Sequence, residues 1–432
     1  LGIPTHEISS QDVVEGNFIG TNATGSAALS NAGDGISAGG GGGNTIGGTT
    51  SGAANVISGN GGGGLDLEGE SGDVVAGNFI GTIATGSAAL PNTGFGISAG
   101  SGGGNTIGGT TSGAANVISG NGGPGLELGE GQDVVAGNFI GTNAGGTADL
   151  GNSSVGIWIQ NFSSGNTIGG TTADAGNIIA FNAGNGVTVG LNVLDASLDN
   201  AVLENSIFSN SGLGIDVDNT APQAAPVLTS AISGGSQTTI TGTVTGAPNT
   251  IFRIEFFSNP AGTSQGETYL GFLDVVTNGS GSASFSFSPA PAVATGLNIT
   301  ATATDPDGNT SEFSAPATVL SGPINVTSDV SVKPGGFVYN RTTRQFTQTL
   351  TITNISGAAI AGPIELVLLN LKNATLVNQS GSTQGNPYIT VLNSGSLGIG
   401  QSLTITLVFA DPTLATITYT PEFLSGPIPP GD

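Results

Sequence analysis

Short apolar segments recur at regular spacing through the first half of the chain. The pattern Gly-aliphatic-x-apolar begins seven times, 28 to 32 residues apart, at Gly35, Gly64, Gly96, Gly125, Gly156, Gly186 and Gly214. A second pattern, Asn/Asp-x-Val/Ile, begins at Asp12, Asn44, Asp73, Asn105, Asp133, Asn166 and Asn200. A third, Asn-x-Ile-x-x-Asn, begins at Asn17, Asn55, Asn78, Asn116, Asn138, Asn177 and Asn205, with Ile83 replacing the last Asn of one copy. Three patterns that recur in a fixed order predict a repeat architecture.

Each unit of about 30 residues therefore holds three short strands separated by Gly, Ser, Thr and Asn. Strands this short cannot bury themselves singly, so each unit is predicted to be one coil of a solenoid whose strands pair in parallel with the next coil. Equivalent residues then stack about 4.8 Å apart. The first interior column is Ile19, Ile57, Ile80, Ile118, Ile140, Ile179 and Ile207, and the second is Ile36, Leu65, Ile97, Leu126, Ile157, Val187 and Ile215.

The Asn that opens each copy of the third pattern flanks a strand, where the chain must turn. Stacked Asn side chains can hydrogen-bond along a column and tolerate left-handed backbone angles. We therefore predict a structural ladder formed by Asn17, Asn55, Asn78, Asn116, Asn138, Asn177 and Asn205.

The Asn-x-Ile-x-x-Asn and Gly-Ile-x-x repeats between Asp12 and about Val217 resemble the right-handed parallel β-helix of pectate-lyase-like proteins. They are most similar to the repeat regions of large secreted bacterial β-helix proteins. The resemblance covers about half of the chain. It implies a right-handed β-helix of about seven coils and a secreted, cell-surface location, and it is specific for a fold but not for an activity.

The second half of the chain changes to longer alternating segments, typical of antiparallel strands. Strands are predicted at Thr238–Val244, Thr250–Phe257, Thr268–Val276, Ser282–Phe287, Leu297–Ala303, Gln348–Thr353, Ile364–Leu369, Tyr388–Leu392 and Ser402–Phe409. The segments 301–314 and 226–231 resemble the last hairpin and first strand of bacterial Ig-like domains, and the C-terminal part resembles a fibronectin- or Ig-like module. The chain is thus predicted to be all-β, with a β-helix at 1–220 and antiparallel β-sandwiches at 224–321 and 323–432.

Charge excludes some classes of partner. The 432 residues include 5 Lys and Arg against 29 Asp and Glu, which gives a net charge of −24. Nothing could neutralise phosphates, so nucleic acid is excluded as a partner, and no apolar run approaches the length of a membrane span. Cys and Met are absent, so disulfides and thiolate chemistry are excluded, and the resistance to oxidation suits an extracellular location.

Catalysis is not expected from the residues available. Lyases of the resembling family use a basic proton abstractor beside carboxylate-bound calcium, and no Lys or Arg precedes Arg253. The related hydrolases use clustered Asp with a His and an Arg-x-Lys pair, whereas His6 is the single His of the sequence. A paired-carboxylate hydrolase remains possible at Asp66, Glu68 and Glu70 or at Asp216 and Asp218. Acidic residues on a hydrated outer face are the simpler interpretation.

No cofactor is predicted, with calcium as the candidate exception. Asp305, Asp307, Asn309 and Glu312 could supply oxygen ligands at alternating spacing. Glu312 follows Asp305 by seven residues, which is too short for an EF-hand. The alternative is a hairpin turn, in which Asp, Gly and Asn are favoured anyway.

Two features suggest that the chain assembles with itself. The residue after each ladder Asn should face outward, which exposes a row containing Phe18, Phe79 and Phe139 unless neighbouring loops cover it. The segment 1–11, which contains Leu1, Ile3 and Ile8, is too short to cover the exposed edge of the first coil. At the other end, the following domain could cap the last coil or leave room beside it.

We therefore predict a non-enzymatic extracellular structural protein, either a self-assembling filament, sheath or surface layer or an adhesin stalk. The alternative is a carbohydrate-binding or polysaccharide-degrading protein, with surface glycans as partners.

Overall fold

The computed structural model describes residues 6–428 except 51, 68, 70, 101, 191, 193, 235 and 236. As predicted, the fold is all-β, with a parallel β-solenoid of about seven turns at residues 13–217 followed by antiparallel sheets. The chain divides into two compact units, and each is described by itself. The first unit comprises Leu1–Thr229, Gly242–Phe285 and Leu297–Ala317, and the second comprises Ser230–Thr241, Ser286–Gly296 and Thr318–Asp432.

The described strands of the solenoid form three parallel sheets, in each of which neighbouring strands come from successive coils. The first sheet contains His6–Ile8, Ile36–Ala38, Leu65–Asp66, Ile97–Ala99, Leu126–Leu128, Ile157–Ile159, Val187–Val189 and Ile215–Val217. The second contains Val13–Val14, Thr45–Gly47, Val74–Ala76, Thr106–Gly108, Val134–Ala136, Thr167–Gly169 and Ala201–Leu203. The third contains Phe18–Ile19, Val56–Ile57, Phe79–Ile80, Val117–Ile118, Phe139–Ile140, Ile178–Ala180 and Ser206–Phe208.

Both predicted interior columns are confirmed. Leu126 pairs in register with Ile157, and Ile118 pairs with Ile140, so equivalent residues of successive coils lie directly above one another. The column members are at most 2% exposed, except for Ile19, which is partly buried and packs against the same core. Other residues of these strands, such as Leu128, belong to the same core.

A glycine ends the strands of the second sheet in every other coil because no side chain fits there. Gly108 adopts φ +89°, and a Cβ at this position would clash with the carbonyl oxygen of Ala136 and the side chain of Asn138 in the next coil. Left-handed backbone of this kind favours glycine. The repeated Asn-Thr-Ile-Gly motif therefore reflects a turn pressed against the following coil.

One described strand of the solenoid was not predicted. His6–Ile8 pairs in parallel with Ile36–Ala38 and so belongs to the first sheet, whereas the sequence placed His6 before the first coil. The prediction failed because this segment carries none of the three repeat patterns. Leu1 and Ile3 lie outside the described residues.

Three further strands of the first unit pair in antiparallel fashion. Ile251–Asn259 lies between Thr268–Val276 and Asn298–Thr304 in one sheet, close to the predicted strands. Four strands contain residues of both units, namely Val227–Gly234, Gln237–Thr245, Ser282–Phe287 and Ala317–Thr318. The proposed division at 220/224 and 321/323 stays a prediction.

The second unit has its own apolar core, which includes Leu350, Leu366, Leu407, Phe409 and Phe423. It contains a short 3₁₀ turn at Thr327–Asp329. One sheet comprises Ile324–Asn325, Thr418–Ser425, Ile364–Lys372, Asn386–Leu392 and Gly381–Thr383. A second comprises Val330–Pro334, Val338–Asn340, Gln345–Asn354, Ser402–Ala410 and Thr375–Leu376, and shorter strands lie at Leu320–Ser321, Ile360–Ala361 and Ser396–Leu397.

The Asn residues that open the third pattern form a hydrogen-bonded ladder through the solenoid. Asn116 shows the arrangement, because its backbone N–H and its Nδ2 both donate to Asn138 Oδ1, at 3.2 and 2.9 Å. Its Nδ2 also donates to the carbonyl oxygen of Val75 at 2.8 Å, and its own Oδ1 accepts from the N–H of Asn78 at 3.0 Å. Each ladder Asn from Asn55 to Asn205 is buried. The side chains thus satisfy polar groups that a turn inside the solenoid would otherwise leave unpaired.

A second ladder alternates Asp with Asn and contains a buried carboxylate. Asp133 is fully buried, and its Oδ1 accepts from the N–H of Asn105 at 2.8 Å. Its Oδ2 has no hydrogen-bond partner in the part of the chain that the structure describes. Burial is the main cause that raises the pKa of Asp133 to about 6, against the lowering effect of the hydrogen bonds from Asn105.

Replacing Asn116 or Asn177 by Ala should lower the free energy of unfolding by about 1–3 kcal/mol each, because each change leaves several buried polar groups unpaired. Chemical denaturation followed by circular dichroism measures the effect. Asp218→Ala, beyond the last solenoid strand, is the control and should change stability little. Equal losses in all three variants would show that the ladder is not a source of stability.

Asp133→Asn should stabilise the protein at pH 7 and flatten the dependence of its melting temperature on pH. The folded-state pKa lies above the unfolded value, so the Asp133 contribution is fully present below pH 3.8 and is lost as pH rises through about 6. The gain at pH 7 is expected to be about 1–3 kcal/mol. Asp149→Asn removes the same charge from an exposed loop. If both variants change the pH profile alike, general charge repulsion explains it and burial of Asp133 does not.

Candidate functional site

The row of Phe residues is covered by loops of alternate coils. The loop after Phe18 folds back so that Gly25 lies against the Phe18 ring, and Gly86 lies in the same way against Phe79. These loops also bond to one another across two coils, with the N–H of Ala84 donating to Gly25 O at 3.0 Å. The loops thus cover Phe79 and Phe139 in part, and lateral contact between solenoids stays a prediction.

The loops leave the first coil less covered than the others. Phe18 is 46% exposed, while Phe79 and Phe139 are partly buried and the intervening Val56 is 3% exposed. Ile8 lies in the first strand of the first sheet. The predicted assembly residues therefore separate into an exposed member, Phe18, and partly covered ones further along the solenoid.

The outer face of the first sheet carries Asp66 and Asp216, two of the acidic residues considered for catalysis, whereas Asp218 follows the last strand of that sheet. Successive coils place Ser37, Asp66, Ser98, Glu127, Trp158, Thr188 and Asp216 in one outward row, in register. Ser98 separates Asp66 from Glu127, so these carboxylates are two rungs, or about 9.6 Å, apart along the sheet. Burial raises the pKa of Glu127. Glu68 and Glu70 lie outside the described residues, and Asp216 accepts a hydrogen bond from Asn185 Nδ2 at 2.7 Å.

The candidate calcium loop is built as a turn that contacts the last coil. Asp305 Oδ1 accepts from the N–H groups of Asp307, Gly308 and Asn309 at 2.9–3.0 Å. Asn309 Oδ1 accepts from the N–H of Asp199 at 2.8 Å, and Glu312 Oε1 accepts from the N–H of Val217 at 3.4 Å. Three of the four predicted ligands thus accept hydrogen bonds from backbone groups. Among the described residues, no three Asp, Glu or His side chains come together as a metal site.

The segment after the strand Ile251–Asn259 hydrogen-bonds to the last coil of the solenoid. Gln265 Oε1 accepts from the N–H and the Nδ2 of Asn210 at 3.1 and 3.3 Å, and its Nε2 donates to Asn210 O and Gly212 O at 2.9 Å. Gln265 thereby takes the position that the next Asn would occupy in a third ladder, formed by Asn60, Asn92, Asn121, Asn152, Asn182 and Asn210. Gly266 and Ile207 exchange two backbone hydrogen bonds of 2.8 Å, as neighbouring strands do.

A partly buried network of ion pairs lies at the same end of the solenoid. The Arg253 guanidinium pairs with Glu204 at 2.6 Å and with Glu255 at 2.8 Å, and it stacks on the Phe272 ring at 3.6 Å. Glu255 Oε2 accepts from the N–H of Glu204 at 2.9 Å. Burial raises the pKa of Glu255, although its bonds to Glu204 and Arg253 favour the charged form. Together with Phe313, which packs on the solenoid core, these contacts form a cap over the last coil.

Sequence reasoning could not find this cap. Gln265, Arg253 and Phe313 lie in segments without repeats. The solenoid residues to which Gln265 and Arg253 bond, namely Asn210, Gly212 and Glu204, lie 49 to 55 positions earlier in the sequence. Phe313 packs on the solenoid core. The alternative in which the following segment caps the solenoid is therefore the one observed.

Comparison with protein-family models and with curated proteins gives no match for this chain. Among solved structures, it is similar to red sea bream transglutaminase at 13% identity and a TM-score of 0.16. That match covers 44% of this chain and 26% of the transglutaminase chain. Among the described residues, no helix is long and apolar enough to cross a membrane.

Gln265→Ala should destabilise the last coil by about 1–3 kcal/mol, because four hydrogen bonds to Asn210 and Gly212 are lost. It should also promote association, because the strand edge that it covers becomes accessible. Thermal melting and light scattering on the full chain measure both effects. Gln237→Ala, at an exposed position, is the matched control. Identical behaviour of the two variants would contradict a capping role for Gln265.

Proposed function

We propose that the protein is a non-catalytic, extracellular structural protein whose copies associate through the first coil of the solenoid. The observation that carries the proposal is the change in burial along one interior column. Ile19 is partly exposed, whereas its six counterparts from Ile57 to Ile207 are at most 1% exposed. Val13 and Phe18 in the same coil are 64% and 46% exposed.

The strands of this coil are the end strands of their sheets among the described residues. An end strand offers unpaired N–H and C=O groups on one side, which can pair with a strand of a second copy. Gln265 and its neighbours cover the last coil, so one solenoid does not stack onto the last coil of another. Pairing of two first coils gives a closed dimer, whereas pairing of the first coil with a different sheet edge gives a filament or layer.

A mechanical role is supported by the ladders. Hydrogen bonds connect Asn17 to Asn205 through every intervening coil, so deforming one turn requires breaking bonds to two others. The absence of Cys and Met and the charge of −24 suit a protein outside the cell.

Introducing Lys at Val13 and Phe18 together should abolish polymers or dimers, because charge on an end strand opposes pairing. Negative-stain electron microscopy and light scattering of the full chain over a range of concentrations measure assembly. Leu29→Lys changes another apolar residue of the same coil, 68% exposed in a loop outside the strands, and should leave assembly unchanged. A wild-type protein that stays monomeric at high concentration, or equal loss in both variants, would overturn the proposal.

A further inference from the structure

The C-terminal unit contains an open concavity of about 920 Å³, within the range of ligand-binding clefts. It lies where the hairpin between Val338–Asn340 and Gln345–Asn354 meets the end of Ser402–Ala410 and the start of Thr375–Leu376. The residues that carry its chemistry are Tyr339, Arg344, Asn373, Thr375, Asp411 and Thr413.

The hairpin holds a cation and an aromatic ring at the rim. Asn340 Oδ1 accepts from the N–H groups of Thr342 and Thr343 at 2.9 and 3.2 Å, and the N–H of Arg344 donates to Asn340 O at 2.8 Å. The Tyr339 ring lies 4.9 Å from the Phe346 ring between centroids and remains 39% exposed. The turn thus fixes the backbone position from which the Arg344 side chain extends. Among the described residues, its guanidinium has no ion-pair partner.

Asp411 lines the same concavity and is 2% exposed. Its Oδ1 accepts from the N–H and the Oγ1 of Thr413 at 2.9 and 2.8 Å, while its Oδ2 has no hydrogen-bond partner among the described residues. A buried carboxylate oxygen without a donor is costly, so it points to a donor that arrives with a ligand. Arg344, Asn373 and Leu414, all on the lining, have φ of 55° to 64°, and backbone in this region clusters at binding sites.

The charge distribution indicates the class of ligand. Residues 318–432 contain four basic and five acidic residues, for a net charge of 4 − 5 = −1, although the whole chain carries −24. Two of the four basic residues, Arg341 and Arg344, lie in this one hairpin turn. A guanidinium, an exposed phenol ring, hydroxyls and an amide together match an acidic group on a polyhydroxylated ring.

We propose that this concavity binds a uronic acid residue of an acidic polysaccharide. Arg344 pairs with the sugar carboxylate, the Tyr339 ring contacts the apolar face of the sugar ring, and hydroxyls of the sugar bond to Thr375, Thr413 and Asp411. This binding site is separate from the first coil and does not depend on the proposed assembly.

Isothermal titration of the full chain with trimannuronate, and with mannotriose as the neutral trisaccharide of the same sugar, tests the assignment. Trimannuronate should bind more tightly than mannotriose. Arg344→Gln should weaken trimannuronate binding by roughly ten- to a hundredfold, because a charge-assisted pair is lost. Arg341→Gln removes the same charge from the same turn but from a residue off the lining, and should change affinity by less than about fivefold.

Equal melting temperatures of the two variants and the wild type establish that all three are folded. Three results would overturn the proposal. The first is no binding heat on adding trimannuronate at millimolar concentration. The second is an equal loss of trimannuronate affinity in Arg341→Gln and Arg344→Gln, and the third is equal affinity of the wild type for the charged and the neutral sugar. Loss of self-association in Arg344→Gln without any saccharide binding would also overturn it, and would assign the concavity to an acidic surface of a second copy.

Discussion

Every coil of the solenoid must satisfy its buried backbone groups through the coils above and below it. Water cannot reach these groups, and an unpaired buried donor or acceptor costs about 1–3 kcal/mol. Strands supply part of the pairing, and side chains supply the rest at the turns, as in the bonds from Asn116 to Asn138 and Val75. The repeated Asn, the left-handed Gly108 and the identical register of the three sheets all follow from this requirement.

The same requirement explains the end of the stack. The last coil has donors that would meet water or another chain, and the molecule satisfies them with Gln265, Asn309 and Glu255. These side chains imitate the missing next coil. Arg253 is the single Lys or Arg in the sequence of the first unit, and its ion pair offsets part of the free-energy cost of burying Glu255 completely.

How far the sequence predicts the structure depends on whether a feature repeats. Ile57 and Leu126 could be placed in the core because each has counterparts at constant spacing, and seven copies outweigh any local ambiguity. The strand His6–Ile8, the cap around Gln265 and the concavity around Arg344 could not be placed. Each of these depends on contacts made once between segments far apart in sequence, and no period signals them. The loop cover of Phe79 was likewise undecided, because the direction in which a loop folds depends on glycine backbone angles.

The loops that join alternate coils have a consequence for how such a protein can change over evolution. Gly25 bonds to the loop of the next coil but one, and Gly86 repeats the contact with Ala144. The smallest segment that can be duplicated or deleted without disturbing these bonds is therefore a pair of coils, which is 60 or 61 residues of sequence. Each such event would change the length of the solenoid by about 9.6 Å while leaving the first coil and the capped last coil intact. The length of the solenoid can thus vary in fixed steps without any change to the contacts made by its first and last coils.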